Sequence, residues 1–446
     1  VKALDKQTVE YTLRSPVPYF MTLLSYVCFF PANGAFLAQT STRFGTDHKT
    51  LLNNGAYILK NHEPQNIREL VKNELYWDKD KVYIPKLTYR FNREASTLAP
   101  ELFFRGEITA ASIPTTILDG WLKDAVRKDM VRPAATSFFS FWYAFNFDPK
   151  FPAQYEPDNW RVAVQNLSFR KSIFHGLDRV AAMETFDPYN PKRQISNTIT
   201  PATFSVVGGV DYTNLPALAK INATDSFNKT LAVEFKNKAM TELAGKVTFP
   251  VKVMMPFSTA DLGWTNRVQV IEQQLENLLG KNFIDVIPVG FPSTGFLDAT
   301  RRAGNYALQE VNWGPDFADP YTYTNPFWAG NPSRYTDIAL ANTQYQTLLN
   351  TANAELVNTK LRFETFARAE AILIDNALVI PYRVGGGGYV ASMLHPFSSS
   401  YAPFGVASLK FKLQEVLNKP MNTAEFNIAF AKWQKERAEA LKKYAQ

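Results

Sequence analysis

An α/β protein is what this sequence predicts, and three observations predict it. Its 446 residues, at about 100–200 per domain, make two to three domains. Short runs of alternating apolar and polar residues recur, as half-buried strands require. Longer stretches between them place apolar residues three and four apart, the spacing of one helical face.

The elements follow in order. Val9, Tyr11 and Leu13 alternate with Glu10, Thr12 and Arg14, the pattern of a half-buried strand. Such structural density at the very start leads us to expect that further sequence precedes Val1. Strands are expected at 55–60, after the turn Asn53-Asn54-Gly55, at 67–72 and at 87–91. Helical spacing covers 95–104 and stops near Gly106. Phe138–Phe147 is an aromatic extended run, Phe-Phe-Ser-Phe-Trp-Tyr-Ala-Phe-Asn-Phe. Asn166 or Ser168 caps a helix across 169–179, and proline-rich loops fill 188–216. A strand at 246–255 precedes a helix at 266–279. Val270, Ile271, Leu275, Leu278 and Leu279 share one face of that helix, and Gly280 stops it. A strand at 283–287 is expected to end at Pro288, and a short helix covers 297–302. The strand 306–311 runs into Asn312-Trp313-Gly314-Pro315-Asp316-Phe317-Ala318-Asp319-Pro320. A helix at 361–376 leads to a strand at 378–382 and then to four glycines, Gly385–Gly388. The tail reads as a helix from Thr423 to Tyr444. Asn422 and Glu425 stand at capping-box spacing, and Phe426, Phe430, Trp433 and Tyr444 form its docking stripe.

Composition narrows the function classes. Aromatic residues reach 14% of the chain, and aromatics beyond the needs of a core line binding clefts. The formal charge of +7 is spread along the chain. Its one dense cluster, Lys432, Lys435, Arg437, Lys442 and Lys443, is interleaved with Glu436 and Glu439 and reads as a solvated helix face, not a nucleic-acid arm. The single cysteine, Cys28, sits in the apolar run 26–30 and is expected to be a buried thiol. One cysteine makes neither a disulfide framework nor a Cys-based metal site within the chain. No apolar stretch reaches the roughly 18 residues of a membrane span, and the start shows no signal-peptide pattern.

Catalytic patterns are absent as well. The four histidines, His48, His62, His175 and His395, are far apart, and none has a partner at the spacing of a helical metal pair. There is no Gly-x-Ser-x-Gly elbow and no phosphate loop. His175 reads as a core or cap residue. Gly385–Gly388 lacks the Lys-Ser/Thr of a phosphate loop and reads as a hinge, a close-packed crossing or a backbone patch facing a ligand. The expectation is a protein that is not an enzyme and holds no cofactor and no metal.

Several segments, in sequence order, resemble one family. They are Asn54-Gly55-Ala56-Tyr57-Ile58-Leu59-Lys60, Lys72-Asn73-Glu74-Leu75-Tyr76-Trp77-Asp78, Phe104-Arg105-Gly106-Glu107-Ile108, Phe169-Arg170-Lys171-Ser172-Ile173 through Leu177-Asp178-Arg179, and Asn312–Pro320. Together they resemble the family 5 extracellular solute-binding proteins of ABC importers, in the flavour of Gram-positive oligopeptide-binding lipoproteins. The resemblance implies a two-lobed, periplasmic-binding-protein-like α/β fold of class II, peptide-binding type, with mixed sheets and a hinge between the lobes. It implies lobe I over 1–145, lobe II over 146–389, and a return to lobe I with the C-terminal helix over 390–446. It also implies that an N-terminal part is missing, including a lipid-attached cysteine and a small extra domain.

The resemblance further implies a mode of binding. An extended peptide lies between the lobes, its backbone pairing with protein strands. A carboxylate neutralises the peptide's α-amino group, which would be costly to bury unpaired. Asp316 matches that carboxylate, and Trp313 and Gly314 match the strand before it. Read without the family, Asp316 is a turn residue or a helix cap. Asp319, before Pro320, reads as a turn residue. Asn312 stands where relatives carry glycine and is expected to alter the ligand's approach. Trp142, Tyr143 and Asn146 lie near the expected hinge and read as ligand contacts or as an aromatic core strand. The implied partners are an oligopeptide and ABC permease subunits, with no nucleic acid. The protein would be a monomer at the extracellular face of the membrane or in the periplasm, membrane-bound only through a lipid anchor outside this chain. The rival readings are a peptide-sensing or adhesion lipoprotein on the same fold, or a binder of dipeptides, metal chelates or oligosaccharides.

Overall fold

Residues 1–331, 342–399 and 411–444 are described in this computed structural model. They fall into two compact units, one made of Val1–Leu24 and Phe138–Gly385, the other of Ser25–Ser137 and Gly386–Tyr444. Among the described residues the chain changes unit after Leu24, Ser137 and Gly385.

The first unit is organised by a three-stranded sheet. Thr136–Phe145 is its central strand, flanked by Leu308–Trp313 and Val379–Gly386. Leu308–Trp313, the motif strand, pairs antiparallel with the central strand from Leu308↔Phe145 to Trp313↔Ser140. The aromatic run is explained by this place: a central strand covered on both faces needs apolar side chains on both. Trp142, Tyr143, Ala144 and Phe145 are at most 1% exposed. Phe145 stacks on Trp160, Trp160 meets Phe169 edge-on, and Phe169 packs on Phe283. The indole of Trp160 donates to the Asn146 carbonyl at 2.7 Å. This chain of rings carries the core from the sheet into the helix Leu167–Gly176.

Short polar side chains set where helices begin. Asn166 caps Leu167–Gly176 by accepting from Phe169 N at 2.8 Å. Asp261 accepts from Trp264 N at 3.1 Å, and the helix Leu262–Leu279 therefore begins ahead of the expected 266. Gly280, at φ 90°, ends it as expected. A parallel pair, Val251–Ser258 and Ile284–Phe291, forms a second sheet. The second strand was expected to stop at Pro288 but runs through it, with Pro288 opposite Met255. In a two-stranded sheet this strand is an edge, where the N–H that proline lacks is not needed. The alternating Val9–Leu13 gives only a two-residue ladder, Lys2–Ala3 with Val9–Glu10, and Val9, Tyr11 and Leu13 stay 38–56% exposed. So short a hairpin has no face to bury.

The second unit holds two antiparallel three-stranded sheets. One is the meander Tyr57–Glu63, Ile67–Lys72 and Lys86–Arg90. In the other, Tyr389–Ser392 lies between Ala110–Ile113 and Val131–Pro133. Phe103, Leu118 and Trp121 pack beneath it. The tail helix Thr423–Tyr444 carries the expected capping box: Asn422 N donates to Glu425 Oε2 at 3.0 Å and Glu425 N to Asn422 Oδ1 at 2.9 Å. Phe426, Phe430 and Trp433 gather around Phe397 at 5.4–5.7 Å. The Tyr444 side chain lies outside the described residues. Cys28, expected to be buried, is exposed in the single turn Val27–Phe29, which is too short to bury every side chain it carries. In the glycine run, Gly386, Gly387 and Gly388 all take left-handed φ, 71–78°. A Cβ on Gly386 would stand 2.6 Å from the Ala135 carbonyl oxygen, so this is a close-packed crossing that only glycine fits.

Candidate functional site

The stretch Asn312–Pro320 begins inside the sheet and leaves it. Asn312 pairs with Phe141 and Trp313 with Ser140, and the chain then departs at Gly314. Asn312 is exposed, whereas Trp313 is half-buried and packs against the core. A Cβ on Gly314 would lie 2.8 Å from the Phe139 ring, so glycine here lets that ring lie over the backbone.

The loop that follows is tied down on both sides. Asp316 N donates to Thr322 Oγ1 at 2.9 Å, and Ala318 N to Thr22 Oγ1 at 3.2 Å. Phe317 stacks on Tyr19 with centroids 3.9 Å apart and planes 11° from parallel. A short N-terminal segment around Tyr19–Thr22 is thus built into the motif loop.

The two carboxylates of the loop have different environments. Asp319 is 2% exposed. Its Oδ1 accepts from Tyr321 N at 2.9 Å, the local bond of an Asx turn. Arg362, itself 1% exposed, grips the same carboxylate with Nε at 2.9 Å and Nη2 at 3.2 Å. Burial pushes the Asp319 carboxyl up, against the opposing pull of this guanidinium. Asp319 is therefore engaged in holding the loop, in accord with its reading as a turn residue. Asp316 is half-buried.

Three of the expected site residues face inward. Trp142 is 0% exposed and packs on Phe327 at 5.4 Å. Tyr143 gives its hydroxyl to Glu310 at 3.3 Å and packs on Tyr382 at 5.2 Å. Asn146 donates to the Gly304 and Tyr306 carbonyls at 2.9 and 2.8 Å and accepts from Asp148 N at 3.0 Å. Of the two readings open for these residues, their contacts are those of a core strand. Asn312, Trp313, Gly314 and Asp316 are consecutive or nearly so and share the end of one strand. The sequence reading missed Tyr19, Thr22, Arg362, Glu310, Arg267 and Arg383. Glu310 alone left a signal, being two residues before Asn312 on an alternating strand.

Among the described residues no group of three or more His, Cys, Asp or Glu gathers that could hold a metal. Among them, too, no helix is long and apolar enough to cross a membrane.

A mixed α/β unit with a Trp-Gly-Pro-Asp strand end is the ground for comparison with known proteins. The chain belongs to the bacterial extracellular solute-binding proteins, family 5 Middle, whose family model matches residues 1–335. The resemblance read from the motifs is thereby borne out. Among individual proteins it is similar to the oligopeptide-binding protein AliA of Streptococcus pneumoniae, 28% identical over 99% of this chain and 74% of AliA. The oligopeptide-binding protein SarA of Streptococcus gordonii is similar to the same degree, 28% over 99% of this chain and 74% of SarA. A Bacillus anthracis oligopeptide ABC transporter substrate-binding domain aligns with a TM-score of 0.67 and 19% identity, covering 94% of this chain and 75% of that one. Listeria monocytogenes OppA bound to peptide aligns at 0.66 and 21%, with the same coverage of 94% and 75%. The fold is the periplasmic-binding-protein-like α/β fold.

Proposed function

We propose that this chain is an extracytoplasmic receptor that captures oligopeptides and delivers them to an ABC importer, with Asp316 accepting the ligand's α-amino group. The observation that carries the assignment is the difference in exposure of the two carboxylates in the motif loop. Asp319 is closed off by Arg362, while Asp316 stands half-buried at the strand end. A half-buried carboxylate gives an ammonium group a charge-assisted bond worth about 1.5–3 kcal/mol. The exposed Asn312 and the half-buried ring of Trp313 border the same strand end. They suit a ligand lying along the backbone, held by main-chain bonds that ignore its sequence. The relatives named as oligopeptide-binding proteins support the class of ligand. The receptor acts without catalysis and as a monomer. It passes its ligand to the importer's permease subunits while held at the membrane by a lipid anchor outside this chain.

Titration calorimetry with free-amine and N-acetylated peptides tests the site. Asp316→Asn weakens free-amine peptides by about 10-fold or more and acetylated ones by less than about twofold. Equal affinity of the two proteins for free-amine peptides would sink the assignment. Native mass spectrometry tests the class, since a peptide receptor co-purifies with bound peptides.

A further inference from the structure

The motif strand carries one charged group, Glu310, on the same face as Asn312. Its carboxylate is crowded by donors. Arg267 gives Nε and Nη2 to Oε2 at 3.3 and 3.2 Å, and Tyr143 gives its hydroxyl to the same oxygen at 3.3 Å. Arg383 gives Nη2 to Oε1 at 3.0 Å. Arg267, Glu310 and Arg383 are 3%, 7% and 9% exposed. Two guanidinium groups thus share one carboxylate in a place nearly closed to water. Asp261, the cap of the helix that carries Arg267, also pulls on it, but it is exposed and screened by solvent.

Donors as well as charges are in surplus. Among the described residues, neither the Arg383 Nε–H nor the Tyr382 hydroxyl, both buried, has a hydrogen-bond partner. Each is costly to leave so, and a surplus cation in a dry setting is costlier. The Arg383 guanidinium lies 3.7 Å from the centroid of the Phe141 ring, and Phe141 is the ladder partner of Asn312. Phe141 is half-buried and Asn312 exposed, so the surplus sits at the inner end of a face that opens to solvent at Asn312.

The geometry points to Arg383 as a specificity-determining residue that favours peptides bearing an acidic side chain. The acid pairs with the Arg383 guanidinium and neutralises the cluster. This rests on the peptide-receptor reading and adds a preference to it. Arg383 is suited to the part, since its guanidinium stacks on an aromatic face while its edge presents fixed donors.

The test uses the full chain and calorimetry with alanine pentapeptide amides, in which each internal position in turn carries Glu or Gln. At one position the Glu peptide binds about 10-fold or more tightly than its Gln twin. Arg383→Gln abolishes that difference. Glu310→Gln, which enlarges the surplus, widens the difference and answers the question even where the Arg383 variant folds poorly. No Glu preference at any position overturns the inference, as does a preference that survives Arg383→Gln. A gain seen only with a free C-terminal carboxylate also overturns it, by assigning the surplus to the peptide terminus. Failure of even the all-alanine amide to bind overturns the peptide reading itself.

Discussion

Asp319→Asn removes the charge that faces Arg362 while keeping the side chain's size and one carbonyl oxygen. Arg362 would then be a buried cation held only by neutral acceptors. Its Nη1 still reaches the Ala352, Asn353 and Glu355 carbonyls at 2.9, 3.3 and 3.1 Å. Breaking one side of a buried pair costs about 3–5 kcal/mol. The surviving carbonyl bonds place this case at the lower end, about 3 kcal/mol. At roughly 2–4 °C per kcal/mol for a unit of this size, the melting temperature falls by about 6–12 °C. Circular-dichroism melting with a parallel urea titration measures it. Asp316→Asn serves as the control and stays within about 0.5 kcal/mol of the parent. Adding Arg362→Met to Asp319→Asn recovers part of the loss, because the stranded cation is then gone. The reasoning is refuted if Asp319→Asn melts within about 2 °C of the parent.

Other outcomes follow from single contacts. Burial alone would raise the Glu310 carboxyl, but Arg267 and Arg383 more than offset it and hold it below the usual carboxylate range. Its contribution is therefore complete above the unfolded value of about 4.3 and is lost as pH falls through the lower folded value. The plot of stability against pH is accordingly shallower in that acid window for Glu310→Gln. Gly386→Ala combines a left-handed φ with a backbone clash and lowers the urea midpoint by an amount worth about 1–3 kcal/mol. Gly314→Ala meets only the movable, half-exposed ring of Phe139 and costs under about 1 kcal/mol by the same titration. Asn422→Ala breaks the capping box of the tail helix and costs about 1 kcal/mol, with faster amide exchange confined to the first turn.

Local chemistry was legible in the sequence wherever it acts over a few residues. Caps such as Asn166 and Asn422 declare themselves because the N–H groups they accept from lie three residues on. The aromatic strand was legible because two-sided burial leaves no polar face. What stayed hidden was pairing across the chain. Arg362 is 43 residues from Asp319, and Arg383 is 73 from Glu310. No periodicity encodes which buried arginine meets which acid. For the same reason an aromatic strand near a binding loop does not say which rings face ligand, and Trp142 and Tyr143 proved to face the core. Val9–Leu13 misled because alternation records what a strand could bury, and the ladder there is only two residues long.

The order of synthesis gives the central strand a difficult interval. Thr136–Phe145 leaves the ribosome well before either neighbour, Leu308–Trp313 or Val379–Gly386. Some 160 residues separate it from the nearer one, about 8–30 s of elongation. Throughout that time a nearly uncharged, aromatic, β-prone segment has both edges open, the profile of an aggregation seed. The nascent chain is then a natural client for a holdase. Export in an unfolded state would defer closure of this sheet until the chain is whole.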